Sequence, residues 1–104
     1  MSRAALSVSR PVVRDLVRLA AMEAPGVLRV GWAGSPWRRL AVGRAVVVRI
    51  RDGAVEARVV VVARPGQPLA ELAEDVRGAV ATAIERLLGL QLGEVTVRVD
   101  GVGG

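Results

Sequence analysis

Residues 44–64 read RAVVVRIRDGAVEARVVVVAR, two β-branched runs on either side of Asp52-Gly53. An Asp-Gly pair between such runs is a two-residue hairpin turn, because the tight turn needs positive φ and glycine adopts it without steric cost. Pairing Arg51 with Ala54 sets Ile50 opposite Val55, Val48 opposite Ala57 and Val46 opposite Val59. The other face then carries Arg49 opposite Glu56, with Arg51, Arg58 and Arg64 on the same side. A slip of one residue would turn every one of those apolar side chains to the wrong face, so burial and charge select one register together.

On the N-terminal side of the hairpin, residues 9–26, SRPVVRDLVRLAAMEAPG, predict a helix. Ser9 can cap it, Pro11 is tolerated in its first turn, and Pro25-Gly26 ends it. Val13, Leu16, Val17, Ala20, Ala21 and Ala24 form one apolar stripe, with Arg10, Arg14 and Arg18 on a different face. VLRVGW, residues 27–32, predicts a short strand, and AGSPWRRLAVG, residues 33–43, a loop rich in breakers. On the other side of the hairpin, Pro65-Gly66-Gln67-Pro68 turns the chain into a long helix, LAELAEDVRGAVATAIERLLGL. Its stripe is Leu69, Leu72, Ala73, Val76, Val80, Ala83, Ile84, Leu87 and Leu88, and Gly89 stands where it should stop. Glu71, Glu74 and Asp75 near its start complement the helix dipole and need no catalytic explanation. EVTVRVDGV, residues 94–102, alternates Val95, Val97 and Val99 against Thr96, Arg98 and Asp100, a strand with one buried face.

The order αβββαβ predicts the α+β class: a two-layer domain with a four-stranded, mostly antiparallel sheet and two helices on one face. We expect one domain over residues 9–102, a flexible N-terminus at 1–8 and a disordered tail at 103–104. The chain of 104 residues is long enough for one core and too short for two domains.

Composition narrows the function. His, Cys, Tyr and Phe are all absent, and all 15 basic residues are Arg. Disulfides, thiol chemistry and cysteine-ligated clusters are excluded, and the hydroxyls of Ser2, Ser7, Ser9, Ser35, Thr82 and Thr96 have no His or Lys to activate them. No catalytic residue, cofactor or metal is expected. Gly31-x-x-Gly34 matches a phosphate-clamping loop in form, but it follows a strand rather than joining two helices. No segment approaches the length of a membrane span, and a cytoplasmic location is expected.

The net charge of +5 is unevenly placed. Through Arg51 ten arginines face only Asp15 and Glu23, a net of +8; beyond it five arginines face eight acids, a net of −3. A basic half of this kind suits an anionic partner or the acidic half of another copy. The candidate interaction surface is Trp32, Trp37, Arg38 and Arg39, with Arg49, Arg51 and Arg58 on the polar sheet face. Trp and Arg are enriched at interaction hot spots, and Trp favours membrane interfaces. The alternative for the two tryptophans is that one closes the core and the other lies on a loop.

The strings APGVLRV, RDGAVEARVVVVARPGQPLAELAEDV and LLGLQLGEVTVRVDGV together resemble the alkaline-shock and general-stress envelope protein family. The motifs are the Pro25-Gly26-Val27 turn, the Asp52-Gly53 hairpin, the Pro65-Gly66 corner and the closing strand from Gly93 through Val102. The likeness extends over residues 9–102, and its specificity lies in the order and spacing of motifs that are structural rather than catalytic. The resemblance implies a non-enzymatic protein of cell-envelope stress or homeostasis that self-associates or docks on a membrane-anchored partner protein, held peripherally at the inner face of the cell membrane. Nucleic acid is not an expected partner on this reading. The alternative is a weak nucleic-acid or anionic-membrane binder using the Arg-rich face. The element order is also similar to that of an iron–sulfur assembly domain, but the proline corner has no cysteine, so that likeness concerns the fold only.

Overall fold

The computed structural model describes residues 9–103, and runs α1 (Arg10–Met22), β1 (Val27–Val30), α2 (Pro36–Val42), β2 (Val46–Arg51), β3 (Ala54–Ala63), α3 (Leu69–Thr82) and β4 (Gln91–Val102). The N-terminus expected to be flexible, residues 1–8, and Gly104 lie outside the described residues. Asp52 and Gly53 both take positive φ, 51° and 78°, as the hairpin turn requires. The register is the expected one throughout, from Val46 opposite Val59 to Arg51 opposite Ala54. Arg49 stands opposite Glu56, but no salt bridge joins them; among the described residues the salt bridges belong to Asp100.

The long strand β3 is the spine of the four-stranded sheet. Along one side it pairs antiparallel with β2 and, further on, with β1; along the other it pairs parallel with β4. Two of the three pairings are antiparallel. α1 and α3 pack on one face, where Val13, Val17, Leu72, Val76, Val80 and Ile84 meet Val46, Val55, Val59 and Val61 in a single core. Each large side chain buried there contributes about 1.5–3 kcal/mol of transfer free energy.

Three expectations are corrected. The 33–43 segment is not simply a loop: Ser35 Oγ accepts the Arg38 N–H at 3.3 Å and Pro36 occupies the first turn, so the supposed breakers start a third helix. The capping expected of Ser9 is positional only, since its side chain makes no capping hydrogen bond. The stripe of α3 changes phase at its end, where Ala83–Leu87 forms a π-helical turn and the Leu88 N–H donates to the Ala83 carbonyl at 3.2 Å. Leu87 is therefore exposed while Leu88 packs on the core, and Leu69 at the first helical position is also exposed. The Gly103 N–H donates to the Ala63 carbonyl at 2.9 Å.

Gly26 explains the Pro-Gly-Val turn. A Cβ built on it would lie 2.8 Å from Leu72 Cδ1 and 2.6 Å from Gln67 Oε1, so a side chain there would force Leu72 and Gln67 to shift where the turn after α1 sits against the start of α3.

Candidate interaction surface

Among the described residues, the second face of the sheet has no counterpart of the layer formed by α1 and α3. Val60 and Val62 point to it and are nevertheless buried. Val60 lies beside Trp32, Val42 and Arg98, where the 31–43 segment folds over that end of the sheet. Trp32 is half-buried against two guanidinium groups, with Arg38 Cζ 5.6 Å and Arg98 Cζ 5.4 Å from its ring centroid. Its indole N–H donates to the Gly43 carbonyl at 3.1 Å, and Arg29 Nη2 donates to the Trp32 carbonyl at 3.3 Å. Trp32 thus neither closes the core nor stands free on a loop.

Asp100 organises this end. Arg38 Nη1 and Nη2 donate to its two carboxylate oxygens at 2.7 and 3.2 Å, the Ala33 N–H at 3.0 Å, and Arg98 Nε at 3.3 Å. Arg38 Nη1 also reaches the Ala33 carbonyl at 2.7 Å. The Asp100 side chain is only 5% exposed, and hydrogen bonding from Arg38, against the opposing effect of burial, holds its carboxyl down at about 2. The same bonds raise the Arg38 guanidinium further above its ordinary value. A carboxylate so fully engaged is a structural tie, not a base awaiting a substrate.

The structure divides the seven candidate residues into three groups. Trp32 and Arg38 join in the Asp100 tie. Trp37, 80% exposed, and Arg39 stand on α2, which has no buried residue. Arg49, Arg51 and Arg58 lie on the open sheet face. Arg49 and Arg58 line a shallow depression of about 250 Å³ together with Glu56, Glu94 and Thr96. Carboxylates alternate with the arginines there, so the face supplies no continuous basic track for a phosphate backbone. An adjoining depression of about 450 Å³ runs from Arg58 to Trp32. A further apolar patch, Val12, Leu19 and Met22, is more than half exposed on the outer side of α1.

Arg98 and Asp100 were not among the candidates. Their outward phase on the last strand was visible, but their partners lie in another part of the chain. The available signal was charge: the arginine-rich first half has too few acids of its own, so a partner had to come from the second half.

The model of the alkaline-shock protein family, described by a cell envelope-related function, matches residues 2–103. The chain belongs to the alkaline-shock family. The motifs that carry the membership have structural places: Pro25-Gly26-Val27 ends α1 and opens β1, Asp52-Gly53 closes the hairpin, and Pro65-Gly66 precedes α3. No curated protein matches the chain. Among solved structures, a variant of MamM CTD is 19% identical over 88% of this chain and 95% of that one, with a TM-score of 0.63. The copper form of MamM CTD is 19% identical over 88% and 85% of the two chains, TM-score 0.65. The nickel form of another variant is 19% identical over 88% and 96%, TM-score 0.62. These likenesses establish a shared fold. The metals belong to those proteins; in this member of the alkaline-shock family His and Cys are absent, and the described residues contain no group of three or more acidic side chains placed to hold a metal ion. No helix among the described residues is long and apolar enough to cross a membrane.

Proposed function

We propose that this alkaline-shock family member is a non-enzymatic protein of cell-envelope homeostasis that acts as an interaction module, self-associating and docking on a membrane-held partner protein from the cytoplasmic side. The observation that carries the reading is the outer edge of β4. Among the described residues this 12-residue strand pairs on one side only, with β3, in a register running from Gln91 to Val102, while β1 and β2 occupy the opposite side of that spine. A long unpaired edge presents a row of backbone donors and acceptors to another strand, and proteins that do not use such an edge shorten or cover it. The +8 and −3 halves favour a second copy as the first partner, since they attract one another head to tail.

Light scattering over a series of salt and protein concentrations tests the self-association. Oligomers that dissociate as salt rises are expected; a strict monomer at low salt and high concentration removes this part of the reading. Affinity capture from membranes of the native organism tests the docking, with a specific membrane protein as the expected result.

A further inference from the structure

Residues 24–51 carry six arginines and no acid. In the middle of that stretch stands α2, seven residues long and without a buried side chain. Trp37 is 80% and Leu40 77% exposed, and three positions apart they share one helical face. A helix this short does not persist by itself in water. Here both ends of its segment are tied: Arg38 binds Asp100 and the Ala33 carbonyl at the start, and the Trp32 indole N–H holds the Gly43 carbonyl at the finish. The fold therefore builds a rigid support whose product is a Trp and a Leu held in solvent, an arrangement that costs free energy unless something covers them.

Shape and charge choose the occupant. Trp37 and Leu40 stand outward from a helix with no buried face and line neither of the depressions on the open sheet. A protein partner would have to bring a matching groove to such a tip, whereas the boundary between lipid headgroups and acyl chains accepts it without one. Arg39 on the helix and Arg44 just beyond it are exposed and form no salt bridge among the described residues; Arg38, which does, is the tether. We propose that α2 docks directly on an anionic lipid surface, with Trp37 and Leu40 entering the headgroup boundary and Arg39 and Arg44 contacting lipid phosphates. The proposal rests on the reading of the chain as an envelope interaction module and adds a lipid contact separate from the β4 edge. One copy binds weakly and reversibly; copies joined through their edges bind with avidity.

The test is partition of the full chain onto vesicles of equimolar phosphatidylcholine and phosphatidylglycerol, against vesicles of phosphatidylcholine alone, with brominated lipid as a quencher of Trp fluorescence. Binding to the anionic vesicles only, weakened by salt and accompanied by quenching, is expected. Trp37→Ala with Leu40→Ala should reduce the partition coefficient about tenfold or more, and Arg39→Glu with Arg44→Glu should abolish anionic selectivity. The remaining Trp32 emission and the thermal melt report that these surface variants stay folded. No vesicle binding by the parent chain at low salt overturns the proposal, as does binding that the Trp37/Leu40 double substitution leaves unchanged. If that substitution instead abolishes self-association while vesicles are not bound, α2 is covered by a second copy; the lipid contact is then refuted and the interaction module stands. A parent chain that binds anionic vesicles but scatters light as a monomer supports the lipid contact and removes self-association alone.

Discussion

Arg38 and Asp100 are 62 positions apart in sequence and 2.7 Å apart in the fold. Their ion pair closes the 31–43 segment onto the end of β4, and the Asp100 carboxylate collects two further donors, from Ala33 and Arg98. Asp100→Ala leaves the Ala33 N–H without its acceptor and removes the ion pair with Arg38, so it should cost about 1–3 kcal/mol in urea denaturation. Trp32 emission should shift to the red in the native baseline as its two flanking arginines loosen. Arg38→Ala should cost less, because the arginine side of the pair is open to solvent and the Ala33 and Arg98 donors remain.

The same carboxylate sets an acid limit. Its pKa lies at about 2 in the folded protein, below the ordinary 3.8, so the stabilisation it provides is complete above about pH 4 and is lost as pH falls toward 2. Thermal melts of the parent chain and of Asp100→Asn between these limits should converge at the acid end and separate as pH rises. A constant separation across the range would show that protonation of Asp100 is not linked to stability.

Gly26→Ala probes the close approach of the α1–β1 turn to α3. The Gln67 side chain is exposed and can swing aside, but Leu72 is buried and cannot move as freely. A loss of about 1–3 kcal/mol is expected from the overpacking, read as a lowered denaturation midpoint without a change in slope.

The π-helical turn separates two neighbouring apolar residues that an unbroken helix would treat alike. Ile84→Ala removes a fully buried side chain and should destabilise by about 2–5 kcal/mol. Leu87→Ala removes one that is 71% exposed and should change stability by no more than about 0.5 kcal/mol. Comparable losses at both positions would mean that the stripe continues through Leu87 as regular α-helical spacing implies.

The hairpin, its register and the two core helices could be read from the amino-acid order because each follows from a local period. Alternation of two places Val46, Val48, Val55 and Val59 on one face, steps of three and four do the same for Val13, Val17, Val76 and Val80, and Asp52-Gly53 marks a turn that other residue pairs form at a cost. The motifs of the alkaline-shock family were legible for the same reason, since each encodes a turn or a corner. The remaining features have no local period and arise from contacts between distant parts of the chain. α2 has no buried residue, so burial leaves no stripe to signal it. The π-helical turn shifts phase within one turn, and the burial of Val60 and Val62 on the face away from the helices depends on a segment folded back over the sheet. The tie between Arg38 and Asp100, and with it the presentation of Trp37 and Leu40, exists only because parallel pairing along β3 brings the end of β4 to the segment that follows β1. A charge pair of that separation is a product of the assembled sheet, whereas a β-turn or an apolar stripe is already present in the order of its residues.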